Sequence, residues 1–474
     1  MSDLPRPATF DALSQRYGPH YKWLVLLVVG IGAVAGVLPT SSFNVAIPTL
    51  SQAFGLGQNQ VQWAMTAFMM AMTVSMLPTP WLLDRFGLRR VFLLAVATLA
   101  LASIAGSLAS TFPSVICARI LQGAAAGLLQ PLAVVVTMRL FPLETQGRAA
   151  GLSTLSIALT PAFAPALGGA LLDRFGWEAI FLLNLPFCLV AGVAALYLLP
   201  LPKDSRSGPF DWVGLGWLAI ATVALIEGVS SLQRHGAAAP WTLSQFVIVA
   251  TATWLFLWHA QRTSAPIIDL HLFRQRTFAM GSIVSFAYGF GMYASLYLIP
   301  VFLQSALAYP AAAAGLALVP SGIALVLTLP LAGRLADHHP PKWVAASGLA
   351  VFGGSLFILS VLGGSIHYGE LIGATVLGRI GLGLILPILS LATLRHVAAR
   401  HLGQASVIIT YARQLGGVMG IATTAVFIEW RESVHGATPP GVFTAYSQGF
   451  LLLAVVILLA MVAACFMQPL RRPS

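Results

Sequence analysis

Residues 90–109 read RVFLLAVATLALASIAGSLA, a continuous apolar run whose one charge stands at its first position. At 1.5 Å of rise per residue a helix of this length spans about 30 Å, the thickness of a bilayer's hydrocarbon core. A membrane barrel would show short alternating segments instead. The rest of the chain has the same character: hydrophobic residues make up 58 % of its 474 positions and charged residues 8 %. An ordinary soluble domain carries roughly 25 % charged residues, and so few charges do not cover a soluble surface of this size. Inside lipid every backbone N–H and C=O must be satisfied within the protein, which excludes open sheets and long irregular loops. The fold class is therefore an all-α integral membrane protein.

Apolar runs bounded by charged or Gly/Pro-containing loops predict fourteen transmembrane helices. They cover 22–45, 61–83, 90–109, 113–138, 149–172, 178–200, 211–232, 243–262, 278–304, 311–334, 343–363, 370–394, 404–428 and 446–468. The ninth and tenth are separated by little more than Ala308-Tyr309-Pro310. Residues 1–21 hold Asp3, Pro5, Pro7 and Asp11 and have no apolar core, so they read as a short segment outside the membrane rather than a signal peptide.

Nineteen of the 25 Lys and Arg residues fall on one side of this topology, among them Arg16, Lys22, Arg85, Arg89, Arg90, Arg139, Arg148, Lys203, Arg206, Arg262, Arg334, Lys342, Arg395, Arg400, Arg471 and Arg472. The other side has Arg174, Arg234 and Arg431, and Arg119, Arg379 and Arg413 fall inside spans. The positive-inside rule then predicts both termini in the cytoplasm of a multi-pass plasma-membrane protein, the inner membrane if the cell is Gram-negative. The net charge of +11 is scattered in twos and threes and forms no nucleic-acid-binding face. Cys117, Cys188 and Cys465 lie in apolar runs with no metal-like spacing, and nothing in the sequence calls for a metal or a cofactor.

An internal repeat organises the runs. The second ends in Leu82-Leu83-Asp84-Arg85 and the tenth in Gly333-Arg334-Leu335-Ala336-Asp337. The fourth carries Arg119-Ile120, then Gly123, Gly127 and Pro131; the twelfth carries Arg379-Ile380, then Gly381, Gly383 and Pro387. Two six-helix bundles follow, at 22–200 and 278–468, with two further helices inserted in a linker at 201–277 and a short tail at 469–474. Parallel halves of this kind bind substrate between them near the bilayer midplane.

The residues now on the page resemble the fourteen-helix drug–proton antiporter branch of the major facilitator superfamily. The likeness rests on Asn44-Val45-Ala46-Ile47-Pro48, Asp84-Arg85-Phe86-Gly87-Leu88-Arg89-Arg90, Arg119-Ile120-Leu121-Gln122-Gly123, Pro165-Ala166-Leu167-Gly168-Gly169, Asp211-Trp212-Val213-Gly214, Pro266-Ile267-Ile268-Asp269-Leu270 and Arg413-Gln414-Leu415-Gly416-Gly417. The chain departs from that pattern at Pro80, Thr160 and Ala164, where the family usually has Gly, and at Pro39, where it often has Asp. The resemblance implies a monomeric transporter with no enzymatic activity, exchanging protons for a small amphipathic organic substrate across the lipid bilayer. It also implies that Asp84, Arg85, Arg89, Arg90 and Asp337 form a conformational latch, and that Pro165, Gly168 and Gly169 mark an exporter at the interface of the halves.

Other candidates come from the residues themselves. An Arg at a helix centre costs at least about 2.5–3.5 kcal/mol on insertion scales, so Arg119, Arg379 and Arg413 must face the bundle interior and find partners there. For Arg119 the resemblance implies a role in proton or substrate coupling, and the alternative is a structural hub with Gln122 or Gln130. Glu227 is the acid placed within a span, and no span interior holds a His, so Glu227 is the candidate proton carrier, tuned by Arg119 or Arg413. Gln122, Gln130, Phe286, Tyr293, Tyr297 and Arg379 are candidate cavity residues, because amphipathic substrates need aromatic walls and a few polar groups. A dedicated transporter of one metabolite is the alternative on the same fold. A membrane enzyme would need a metal cluster or nucleophile–base pair within the spans, and neither is present in the sequence.

Overall fold

The computed structural model describes residues 10–201, 208–236, 238–309, 311–362, 367–395, 397–398, 401–436 and 438–467. Arg6, Lys203, Arg206, Arg400, Arg471, Arg472, Pro310 and the 469–474 tail lie outside the described residues. Those described form helices and connecting turns, with no strand among them. The first half holds α1 (Phe10–Tyr17), α2 (Tyr21–Phe54), α3 (Gln58–Ser75), α4 (Thr79–Ser107), α5 (Phe112–Leu129), α6 (Leu132–Leu140), α7 (Gln146–Phe175), α8 (Glu178–Leu182) and α9 (Leu185–Leu198). The inserted pair is α10 (Trp212–His235) and α11 (Pro240–Ala260). The second half holds α12 (Arg276–Val301), α13 (Ala311–His338), α14 (Pro341–Leu362), α15 (Tyr368–Leu394), α16 (Leu402–His435) and α17 (Pro439–Cys465).

Eleven helices among the described residues are long and apolar enough to cross a membrane. The helices on the expected spans 61–83, 149–172 and 404–428 are not among the eleven. The sequence explains where the helices break. The expected fourth span divides at Gln130–Pro131 and the sixth at Leu183–Asn184, in each case beside a proline that has no N–H to donate. The expected second span passes through Met76-Leu77-Pro78 and continues on α4, which kinks at Gly87 (φ +77°), a conformation that costs glycine little. After Pro300 the end of α12 widens into a π-helical turn at Phe302–Ala306.

In the N-terminal segment Phe10, Leu13 and Tyr17 recur every three or four residues along α1, and a 3-10 turn at Gly18–His20 leads to Tyr21, the first residue of α2. Leu13 and Tyr21 are buried in the first half's core, and the Tyr21 hydroxyl donates to the carbonyl of Leu198 at 2.8 Å.

Each half has its own apolar core, one running through α2, α4, α5, α6, α7 and α9 and the other through α12 to α17. The halves meet along two seams. In one, α7 packs on α13 and α15, with Ala150 against Ala332, Ala336 and Leu391. In the other, the inserted α10 packs against both α3 and α16.

Candidate functional site

Arg119 is 1 % exposed and lies between the rings of Phe43 and Phe68, its guanidinium carbon 4.2 Å from each centroid. Nε donates to the carbonyl of Ala64 (3.3 Å), and Nη1 to the carbonyl of Pro39 and to Oε1 of Gln122 (both 3.1 Å). Gln122 passes the chain on to the Ser103 hydroxyl (2.8 Å), which donates to Asn184 Oδ1 (3.0 Å). A guanidinium has five N–H donors and no acceptor, so carbonyls, an amide and two aromatic faces are fitting partners. Pro39, the position where an acid was the family pattern, supplies its backbone oxygen to this hub. Gln122 is therefore a hub residue, whereas Gln130 reaches elsewhere: its Nε2 donates to Met72 Sδ at 3.5 Å.

Met72 belongs to a cavity between the halves. Its atom-free space is about 630 Å³, part of it continuous with solvent, and its walls come from α3, α10, α12 and α16. The volume open to water is about 130 Å³, below the roughly 300–1,000 Å³ of small-molecule sites, so a drug-sized ligand fits only as the walls move apart. Met69 and Met72 form one wall, Ile226, Val229 and Ser230 of α10 another, and Tyr293 and Gln414 the third. Gly417 lets the Tyr293 ring lie against α16, since a Cβ there would come within 2.4 Å of it. The Tyr293 hydroxyl then donates to Gln414 Oε1 (3.1 Å), and Gln414 Nε2 points at Met72 Sδ (3.9 Å) across the seam. Glu227 is 8 % exposed on α10, beside the lining residues without being one of them.

The remaining cavity candidates are not brought together here. Tyr297 lines a separate cavity with Glu429, Glu432 and Tyr446. Arg379 borders a much smaller space among Phe352, Ser355 and Thr375 in the second half. The Phe286 ring packs beside that of Phe290, centroids 6.5 Å apart. Arg413, on α16, meets α12 through its backbone: a Cβ on Gly289 would collide with its carbonyl oxygen.

The two latch carboxylates have different partners. Asp337, at the end of α13, accepts the backbone N–H groups of Gly147 (2.7 Å) and Arg148 (3.0 Å), the positive N-terminus of α7 in the other half. Beside it Arg395 donates to the Leu143 carbonyl (2.9 Å) and to Gln146 Oε1 (3.2 Å). Asp84 is half-exposed and pairs with Arg139 at 3.3 Å, inside its own half. Arg85 lies over the rings of Trp81 and Phe86, Arg89 is partly buried and Arg90 is exposed. Gly168, on α7 with Pro165 and Gly169, faces Ser42 of α2 within the first half: a Cβ there would sit 3.1 Å from Ser42 Cβ.

Sequence reasoning missed Met72, Gln414 and Arg395. Gln414 had a signal, an amide beside an intramembrane Arg; a Met in an apolar helix has none.

This arrangement of two helical halves around a small-molecule cavity has counterparts among known proteins. The Major Facilitator Superfamily matches residues 29–270 and 281–474. The chain belongs to that superfamily. It is similar to the multidrug resistance protein B homolog of Mycobacterium tuberculosis, 29 % identical over 418 residues that cover 86 % of this chain and 77 % of the relative. It is also similar to the riboflavin transporter RibZ of Clostridioides difficile, 27 % identical over 410 residues, 86 % of this chain and 88 % of the relative. The human organic anion transporter MFSD10 shares the fold, with a TM-score of 0.65 at 15 % identity over 93 % of this chain and 100 % of that one. As a member of this superfamily the chain is a multi-pass membrane transporter of small molecules, and not an enzyme.

Proposed function

We propose that this transporter is a proton-coupled exporter of amphipathic organic compounds working by alternating access. The observation that carries the reading is Glu227, a carboxylate buried within a membrane-spanning helix whose neighbours Ile226, Val229 and Ser230 wall the cavity between the halves. A carboxyl in that position can take a proton from one side and release it to the other as the halves rock. Relatives named as multidrug resistance proteins support drug-like cargo.

In this proposal the chain has fourteen transmembrane helices and works as a monomer. Six helices belong to 22–200, two to the 201–277 linker and six to 278–468, with both termini and the Arg-rich end of the bundle in the cytoplasm. Glu227 carries the proton, and Arg119 or Arg413 tunes its affinity. The latch of Asp84, Arg85, Arg89, Arg90 and Asp337 then closes the cytoplasmic end. A second reading narrows the cargo to one metabolite, and the relative named as a riboflavin transporter supports it.

The test uses inverted vesicles and a panel of dyes, drugs and flavins. Glu227→Gln should abolish uptake driven by an imposed pH gradient while leaving equilibrium binding intact. Uptake at the wild-type rate by the Gln variant would remove Glu227 from the proposal. Transport of one panel compound alone would favour the second reading.

A further inference from the structure

The amides of Gln130 and Gln414 come from opposite halves and converge on one atom, Met72 Sδ, at 3.5 and 3.9 Å. A thioether is a weak acceptor, so two N–H donors aimed at a single sulfur are poorly satisfied. Gln414 is 6 % exposed and lines the cavity, and its carbonyl oxygen is held by the Tyr293 hydroxyl, which keeps the amide nitrogen turned towards the sulfur. Gln130 stands behind Met72, outside the lining, and meets the cavity once that side chain moves. Leaving a buried donor without a good acceptor is costly, and the arrangement gains when a better acceptor replaces the sulfur. The Met72 side chain is unbranched and adaptable and is able to swing aside.

The walls define what would bring that acceptor. Among the described lining residues none is charged; the Tyr293 ring gives a flat face, Met69 and Met72 polarisable thioethers, and Ile226 and Val229 apolar bulk. We propose that this cavity binds neutral planar ring systems bearing a carbonyl oxygen or ring nitrogen, which accepts the Gln130 and Gln414 amides in place of the Met72 sulfur. The proposal rests on the exporter reading for its physiological use and names the cargo class of that same cavity.

Three tricyclic probes of one shape separate the possibilities: acridone, neutral with a carbonyl; anthracene, neutral with no acceptor; and 10-methylacridinium, a cation with no acceptor. Binding to the full chain in nanodiscs is measured by equilibrium dialysis against empty nanodiscs. Acridone should bind about tenfold more tightly than anthracene or 10-methylacridinium, the effect of gaining two net hydrogen bonds. Gln414→Leu and, from the opposite half, Gln130→Leu should each shrink the acridone-to-anthracene ratio several-fold. Two results overturn the proposal: 10-methylacridinium binding as tightly as acridone, or an unchanged ratio in a variant that keeps the wild-type melting temperature. Because no gradient is present, the preference stands even where pH-driven transport fails, and it falls if the ratio is absent while other compounds are transported.

Discussion

The carboxylate of Asp337 accepts the backbone N–H of Gly147 at 2.7 Å and so ties the end of α13 to the start of α7 across the two halves. The contact combines a charge-assisted hydrogen bond with the field of a helix N-terminus. Asp337→Asn keeps an acceptor oxygen but loses the charge. It should release about 1–2 kcal/mol of contact energy and lower transport sharply, because one end state of the cycle loses its brace. Transport assays together with a melting curve in detergent check this, and wild-type transport by the Asn variant would reduce Asp337 to a bystander.

Asp84 should behave differently in stability. Its pairing with Arg139 is between half-exposed side chains, and such pairs contribute about 0–1 kcal/mol. Asp84→Asn should leave the melting temperature within the error of the measurement. A clear drop would mean that Asp84 has a partner beyond Arg139.

Gly333 and Gly147 allow the backbones of α13 and α7 to touch: a Cβ on Gly333 would lie 2.4 Å from the Gly147 carbonyl oxygen. Backbone cannot rotate out of the way as a side chain does. Gly333→Ala should therefore push the halves apart at the Arg-rich end and shift the population towards the conformer open there. Distance measurements between spin labels on the α6–α7 and α15–α16 connections should show the longer distance gaining weight; an unchanged distribution would contradict it.

Arg119→Lys keeps the charge but loses the planar group that stacks between Phe43 and Phe68 and the fork that reaches Ala64, Pro39 and Gln122. Two desolvated cation–π contacts are worth about 1–4 kcal/mol together, so the Lys variant should melt several degrees lower. If it melts like the wild type yet fails to couple to a pH gradient, the hub is a coupling device rather than a structural one.

The inserted helices are pinned at their base by Asp211. Its carboxylate accepts the N–H of Gly214 (2.8 Å), caps α10, accepts the N–H of Ile267 (3.1 Å) and pairs with His259 Nε2 (2.8 Å). Asp211→Ala removes a helix cap worth about 0.5–2 kcal/mol and strands two further donors. Proteolysis in the 201–209 and 261–269 connections should accelerate, and an unchanged cleavage rate would count against the pinning role.

Much of the fold was legible because lipid demands long apolar runs, and those runs are visible one at a time in the chain. Pro131 and Pro186 lie where helices break, yet the spans 113–138 and 178–200 were expected to run through them unbroken. Asp337 was legible through the repeat with Asp84, yet the repeat did not reveal that only Asp337 reaches the opposite half. The α1 helix was less legible, because Pro5, Pro7 and two acids accompany a single short repeat of apolar positions at Phe10, Leu13 and Tyr17. The convergence of Gln130, Gln414 and Met72 was beyond sequence reading, since it depends on which faces of α3 and α16 meet, and apolar helices that face lipid on one side and protein on the other carry little trace of that choice.

The inserted pair has a mechanical consequence. Thr222 of α10 hydrogen-bonds to Tyr411 of α16, and Ile267, at the threshold of the second half, hangs on Asp211. Both ties lead to the second half, whereas α10 meets α3 of the first half across the cavity wall. The first half holds the same linker as well, since Trp81 Nε1 donates to the Gly208 carbonyl (3.0 Å) and its ring lies 4.9 Å from that of Phe210. The inserted pair is thus tethered to both halves, and the cavity wall it supplies is held from two sides.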